Sequence, residues 1–208
     1  MGESSLPRLN EAIAFLDRFA PEEAASLRRK GDVHAQALEA GIIGGEDDAL
    51  APDIERASLV ARAEVLDVAL TEAIGKCGPA ATDLLAKLKL ARRVQFAAAA
   101  LAAIASSGVI ASAFIDKFTT IVAGSIALVS SLTGMFADIV ILRGSGGYDR
   151  LRETARTLIK DEGMARVAQA NVAAALKSKV PGPALAQLVR EGNALFAEIN
   201  QALADART

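Results

Sequence analysis

Two uncharged runs in tandem constrain this chain more than any other feature. Val94 to Ile115 is 22 residues without a charge, and Phe118 to Ala137 is 20 more. Asp116 and Lys117 separate them; Asp138 follows, then Ile139, Val140, Ile141 and Leu142 before Arg143. A helix needs about 20 apolar residues to cross the hydrocarbon core of a bilayer. The simplest arrangement is a helical hairpin with its tip at Asp116 and Lys117 and transmembrane spans at 94–115 and 118–142. The competing arrangement is a hairpin buried in a soluble helical bundle, and the composition of the first run keeps it open. Nine Ala, three Ser, one Gly and one Gln leave only eight strongly apolar residues there. These favour insertion by roughly 2.4 to 4.8 kcal/mol, and the polar positions take back part of it, so the second helix must help. Ser106-Ser107-Gly108 is a rival bend, but it would sink Asp116 and Lys117 midway along a helix of about 34 residues.

The ends of the hairpin carry a collar of charge. Lys87, Lys89, Arg92 and Arg93 precede the first run, with no acid after Asp83. Arg143, Arg150, Arg152 and Arg156 follow the second, with only Asp149 and Glu153 among them. Basic residues gather on the cytoplasmic side of membrane spans. Both termini are therefore expected in the cytoplasm, with the tip outward and the protein in the cell inner membrane. The first 20 residues hold Glu3, Arg8, Glu11, Asp17 and Arg18 and no apolar core of a secretion signal, so the first span is expected to direct insertion.

Composition narrows the chemistry. The chain has 208 residues, a formal net charge of -2 and 52 % hydrophobic residues, with 45 Ala and no Trp. High apolar content and low net charge argue against disorder. One cysteine excludes a disulfide scaffold, and no overall basic excess points to nucleic acid. With one His, one Cys and one Tyr, the catalytic inventory is poor, and no enzyme, cofactor or metal is expected. His34 has Asp32 near it but no second histidine. Cys77, beside Lys76 and between Gly75 and Gly78, has the setting of a thiol lowered near a helix start, yet no base accompanies it. Asp47 and Asp48 lack the spacing of a calcium loop. Gly44-Gly45 and Gly144-Ser145-Gly146-Gly147 lack the Lys-Ser/Thr and strand-helix setting of a phosphate loop.

The flanks read as helices, and no period-two strand pattern occurs, so the expected class is all-α. Residues 1–78 form an acidic helical region, 79–143 the hairpin, and 144–208 a helical pair. Leu9, Ala12, Ile13 and Leu16 mark a first helix, and Pro21 with Glu22 and Glu23 opens a second. Asp53 opens a third, with Leu59, Ala63, Leu66, Leu70 and Ala73 on one stripe; Gly75 and Gly78 are expected to end it. Pro79 then starts a helix that runs past Leu84, Leu88 and Ala91 into the first span. After the glycines at 144–147, a helix is expected from Tyr148 to Lys177 with Leu151, Ala155, Leu158 and Ile159 on one face. A turn at 180–183 leads to a last helix whose seam of Leu185, Leu188, Gly192, Leu195, Ile199 and Ala202 wants a partner helix.

Within the hairpin, small residues recur at four-residue spacing: Ala99, Ala103, Ser107 and Ala111 on the first helix, and Ala123, Ala127 and Ser131 on the second, with Ser130 and Gly134 beside them. In lipid such residues let helices approach closely, within one hairpin or between subunits. Asp138 falls level with Gln95, about one turn inside Arg92 and Arg93. It reads either as a carboxylate paired near the headgroups with Arg92, Arg93 or Arg143, or as part of a ring with Gln95 at the inner mouth of an oligomeric pore favouring cations. Ser107, Ser130 and Ser131 are candidates for a wetted lining, or bond back to their own helix.

The stretch from Leu90-Ala91-Arg92-Arg93 through both runs to Tyr148-Asp149-Arg150-Leu151 resembles, in its layout, the SLATT class of two-span effectors of prokaryotic conflict systems. The likeness covers about 60 residues. It implies a membrane-embedded effector that perforates or depolarises the membrane in antiviral defence when a sensor protein partner fires; the small-residue faces add the expectation of a homo-oligomer. The hairpin also resembles that of α-helical pore-forming toxins, which implies a subunit that conceals its hairpin until triggered. A passive membrane anchor that recruits a partner is the third reading.

Overall fold

The computed structural model describes residues 6–29, 52–112, 121–122, 124–126, 128–132 and 147–207; the side chains of 52–55 and 105–112 are not among what it describes. Every regular element among them is an α-helix. These are α1 (Asn10–Phe19), α2 (Pro21–Arg29), α3 (Pro52–Ser112), α4 (Tyr148–Ser178) and α5 (Gly182–Arg207), and residues 121–122, 124–126 and 128–132 are also helical. The chain divides into two compact units. One comprises Met1–Ala80 and Thr157–Ala204, the other Ala81–Arg156 and Asp205–Thr208.

In the first unit, α3 is the central rod. Leu59, Ala63, Leu66, Leu70 and Ala73 are all buried, as the stripe predicts, and Ala61, Arg62, Val65 and Ala69 are buried beside them. A stripe this wide means partners on several sides. Helix α4 runs antiparallel to α3. Gln169 Nε2 donates to Thr71 Oγ1 at 2.7 Å, and Arg56 Nη2 donates to the Lys179 carbonyl at 3.2 Å. Helix α5 runs parallel to α3, with Leu59 beside Gly182 and Leu66 beside Gly192. A Cβ on Gly192 would stand 2.6 Å from Leu66 Cδ2, so this glycine sets how closely the two helices approach.

The turn between α4 and α5 closes with Lys179 in the left-handed region (φ 52°) and the Val180 N–H on the Ala175 carbonyl at 3.3 Å. That is a Schellman closure, in which glycine is the usual occupant of the left-handed position. Helix α1 lies against α5, where Phe15 meets Phe196 with ring centroids 5.1 Å apart. The residue before α1, Leu9, has no capping side chain. Asn193 of α5 supplies the acceptor instead, its Oδ1 taking the Ala12 N–H at 3.0 Å. Arg62 is buried and donates to the Pro7 carbonyl, which ties the segment before α1 to the rod.

Two local expectations are corrected. Gly75 and Gly78 do not end a helix, because α3 runs through them and through Pro79 to Ser112. Proline at 79 removes the N–H that would bond the Gly75 carbonyl. Gly75 and Pro79 are both exposed, so water reaches that carbonyl, and Gly75 has no side chain to crowd the ring. The buried row answers with a shift of phase. Its 4–3 alternation from Leu59 to Ala73 gives two successive steps of four, Ala73–Cys77–Ala81, and then resumes through Leu84, Leu88, Ala91 and Ala98. On α4, Leu151, Ala155 and Leu158 are buried as expected, but Ile159 is 49 % exposed, one position off the seam. The α5 seam finds its partners, α1 and α3, within the same chain.

Candidate functional site

The second unit treats apolar residues differently. Its share of α3 buries a narrow row, Ala81, Leu84, Leu88, Ala91 and Ala98, and the start of α4 buries Leu151 and Ala155. Arg150 pairs with Asp205 at 3.4 Å, and Gly147, at φ 99° where only glycine sits without strain, leads into α4. Opposite its buried row, α3 carries Lys89, Arg92 and Arg93, then Phe96, Ala100, Ala103 and Ile104, all exposed. Phe96 is 77 % exposed and Ile104 69 %. The helical residues at 121–122, 124–126 and 128–132 also expose Ile121, Val122, Ile126, Leu128, Val129 and Leu132. Of the 14 large apolar side chains exposed among the described residues, 11 belong to this unit. Monomeric proteins rarely leave so many large apolar side chains in water along one stretch of chain, and such exposure marks a partner or a membrane.

Lys87, Lys89, Arg92, Arg93, Arg150 and Arg152 of the collar are exposed. Gln95 is half-buried. Ala99 and Ala103 are exposed, the buried position there being Ala98. Ser130 is buried and Ser131 exposed, while Ser125 Oγ donates to the Ile121 carbonyl at 2.9 Å, one turn back on its own helix. Asp138, Arg143, Ala123, Ala127, Gly134 and the tip residues Asp116 and Lys117 lie outside the described residues, as do the Ser107 and Ala111 side chains. So do His34, Asp47 and Asp48. Ser106-Ser107-Gly108 does not interrupt α3. No helix among the described residues is long and apolar enough to cross a membrane. The expected span 94–115 is described in part, and 118–142 mostly lies outside them.

A polar cluster in the first unit was not legible beforehand. Asp161 of α4 has no exposed surface, and neither carboxylate oxygen has a hydrogen-bond partner among the described residues. Burial raises its carboxyl above the ordinary range, the Glu198 carboxylate adds to this, and Lys160 opposes it. Cys77 faces the same region from α3. Its thiol is fully buried and raised to about 12, by burial first and then by Asp161 and Glu162. The activated thiol of a helix start is thus replaced by an unreactive one in mid-helix. Burial alone lowers the Arg62 guanidinium and raises the Asp67 carboxyl. Among the described residues, no group of three or more His, Cys, Asp or Glu is arranged to hold a metal. The only signal for Asp161 in the sequence is its place one residue from the row that continues Leu151, Ala155 and Leu158.

No family model, no curated protein and no solved structure matches this chain.

Proposed function

We propose that this chain is a membrane-acting effector: its stretch Val94–Leu142 enters a bilayer as a helical hairpin, copies associate there, and the membrane is breached. The observation that carries the reading is the set of exposed large apolar side chains at 96–104 and 121–132, Phe96, Leu101, Ile104, Ile121, Val122, Ile126, Leu128, Val129 and Leu132, against only Ile159, Met164 and Val167 among the described residues of the first unit. Lipid is the solvent such side chains fit, and the cations at 87–93 stand just before Phe96 on the same helix. Ala99 and Ala103, exposed on one copy, are the small residues that close helix–helix contact in lipid uses. Both termini stand on the cytoplasmic side. The first unit, outside the stretch that carries the two-span effector likeness, is the part available to a sensor.

Expression in a bacterial host tests this. The protein is expected in the membrane pellet, and induction is expected to collapse the membrane potential reported by a voltage-sensitive dye. An unchanged potential with all the protein in the membrane would leave only the anchor reading. In the pore reading, Asp138→Asn shifts ion preference away from cations; unchanged preference removes Asp138 from the conducting path. A second reading, insertion only after a trigger, is favoured by the alanine-rich first run and by the lack of a membrane-crossing helix among the described residues. It predicts a detergent-free soluble protein that moves to membranes on activation.

A further inference from the structure

Charge is divided unequally along this chain. The residues of the second unit include ten basic and six acidic side chains, net +4, whereas those of the first include thirteen and nineteen, net -6. The excess is concentrated on α3. Lys87, Lys89, Arg92 and Arg93 fall between Asp83 and Asp116 with no acid among them. All four are exposed, and none is paired with a carboxylate among the described residues. Three of them, Lys89, Arg92 and Arg93, share the outward face with Phe96, Ala100, Ala103 and Ile104. That face therefore changes from cationic to apolar within one turn: Phe96 lies about 4.5 Å beyond Arg93 along the axis, and Ile104 about 16 Å beyond, roughly half of a hydrocarbon core about 30 Å thick.

We infer that Lys89, Arg92 and Arg93 form a docking band for anionic phospholipid headgroups, which selects negatively charged bilayers for the hairpin. The inference rests on the membrane reading above and adds to it the class of lipid. The spacing carries it. A phosphate at the level of Arg93 puts Phe96 at the start of the acyl chains, so both halves of the face are satisfied by one partner. Unpaired guanidinium and ammonium groups gain most at a surface of negative potential. A nucleic acid would meet the cations equally well but would leave Phe96 and Ile104 in water.

Vesicle flotation of the full chain at physiological ionic strength tests the inference, using phosphatidylcholine vesicles and vesicles in which a third of the lipid is phosphatidylglycerol. Each cation at such a surface contributes about fivefold in affinity. The triple variant Lys89→Gln, Arg92→Gln, Arg93→Gln is expected to lose about 100-fold in affinity for the anionic vesicles and little for the neutral ones. The exchange Lys89→Arg, Arg92→Lys, Arg93→Lys is expected to keep binding. Removing three exposed charges of the first unit, Lys76→Gln, Lys177→Gln and Arg190→Gln, is expected to leave it unchanged. Equal binding of both vesicle types by parent and triple variant overturns the headgroup inference and leaves the membrane reading standing. Absence of binding to either vesicle overturns both this inference and the reading of constitutive insertion. Duplex DNA that competes fully with anionic vesicles for the band overturns it in favour of a nucleic-acid face.

Discussion

Asp161→Asn is expected to stabilise the first unit at neutral pH and to leave it unchanged in acid. The parent carboxylate has no exposed surface and, among the described residues, no hydrogen-bond partner for either oxygen, with the Glu198 carboxylate raising it and Lys160 opposing it. Its proton is therefore held more tightly in the folded chain than in the unfolded one. That preference favours folding in full below the ordinary carboxyl value of about 3.9, and it is lost as pH rises through the raised folded value. The loss cannot exceed about 1.4 kcal/mol per pH unit, and it stops once the folded carboxyl has ionised. An asparagine keeps the shape and does not titrate. The difference in stability between variant and parent should therefore be near zero in acid, rise with pH, and level off. A buried charged group without a partner costs at least about 1–3 kcal/mol, which is the plateau expected at neutral pH. In a chain of this length it raises the melting temperature by roughly 2–10 °C. Thermal unfolding followed by far-ultraviolet circular dichroism, in the same mild detergent for both proteins, measures it. Asp67, also raised by burial, is common to both and cancels. A difference that does not vary with pH, or a variant less stable than the parent at neutral pH, would refute the buried, unpaired state of Asp161.

Three further substitutions test the packing. Asn193→Ala removes the side-chain acceptor of the Ala12 N–H and is expected to cost about 1 kcal/mol in urea unfolding, while Asn193→Asp, which keeps an acceptor, retains stability. Gly192→Val drives a side chain into Leu66, fully buried on the facing helix; a loss of about 1–3 kcal/mol is expected, and a neutral result would mean that α3 and α5 part freely. Lys179→Gly relieves a left-handed position at the turn between α4 and α5 and is expected to gain about 0.5–1 kcal/mol, since the Lys179 carbonyl that Arg56 uses is untouched.

The helices themselves were largely legible. Leu59, Ala63, Leu66, Leu70 and Ala73 repeat at a spacing that local geometry translates directly into a buried stripe, and the same holds for the α5 seam. The boundary at Gly75-Gly78-Pro79 was misread for a physical reason. Breakers act through single hydrogen bonds and backbone entropy, worth a few kcal/mol, and a long helix packed on both sides of the break outweighs them where the freed carbonyl faces water. Asp161 was missed because a one-residue displacement from a heptad row does not tell which side chains close over it. The candidate surface was legible as two uncharged runs with a basic collar. That its apolar residues stand outward, with Lys89, Arg92 and Arg93 on the face of Phe96, required the position of the buried row.

What the sequence by itself determined is what depends on neighbours a few residues apart: the all-helical class, the stripes, a turn near Pro181 and the charge division. Only the tertiary structure decided the rest. Asn193 caps α1 from 181 residues away, Glu198 acts on Asp161 from another helix, and Gly192 sets an approach to Leu66. Such contacts carry no period along the chain, because they are made between faces that meet only after each helix has formed and packed.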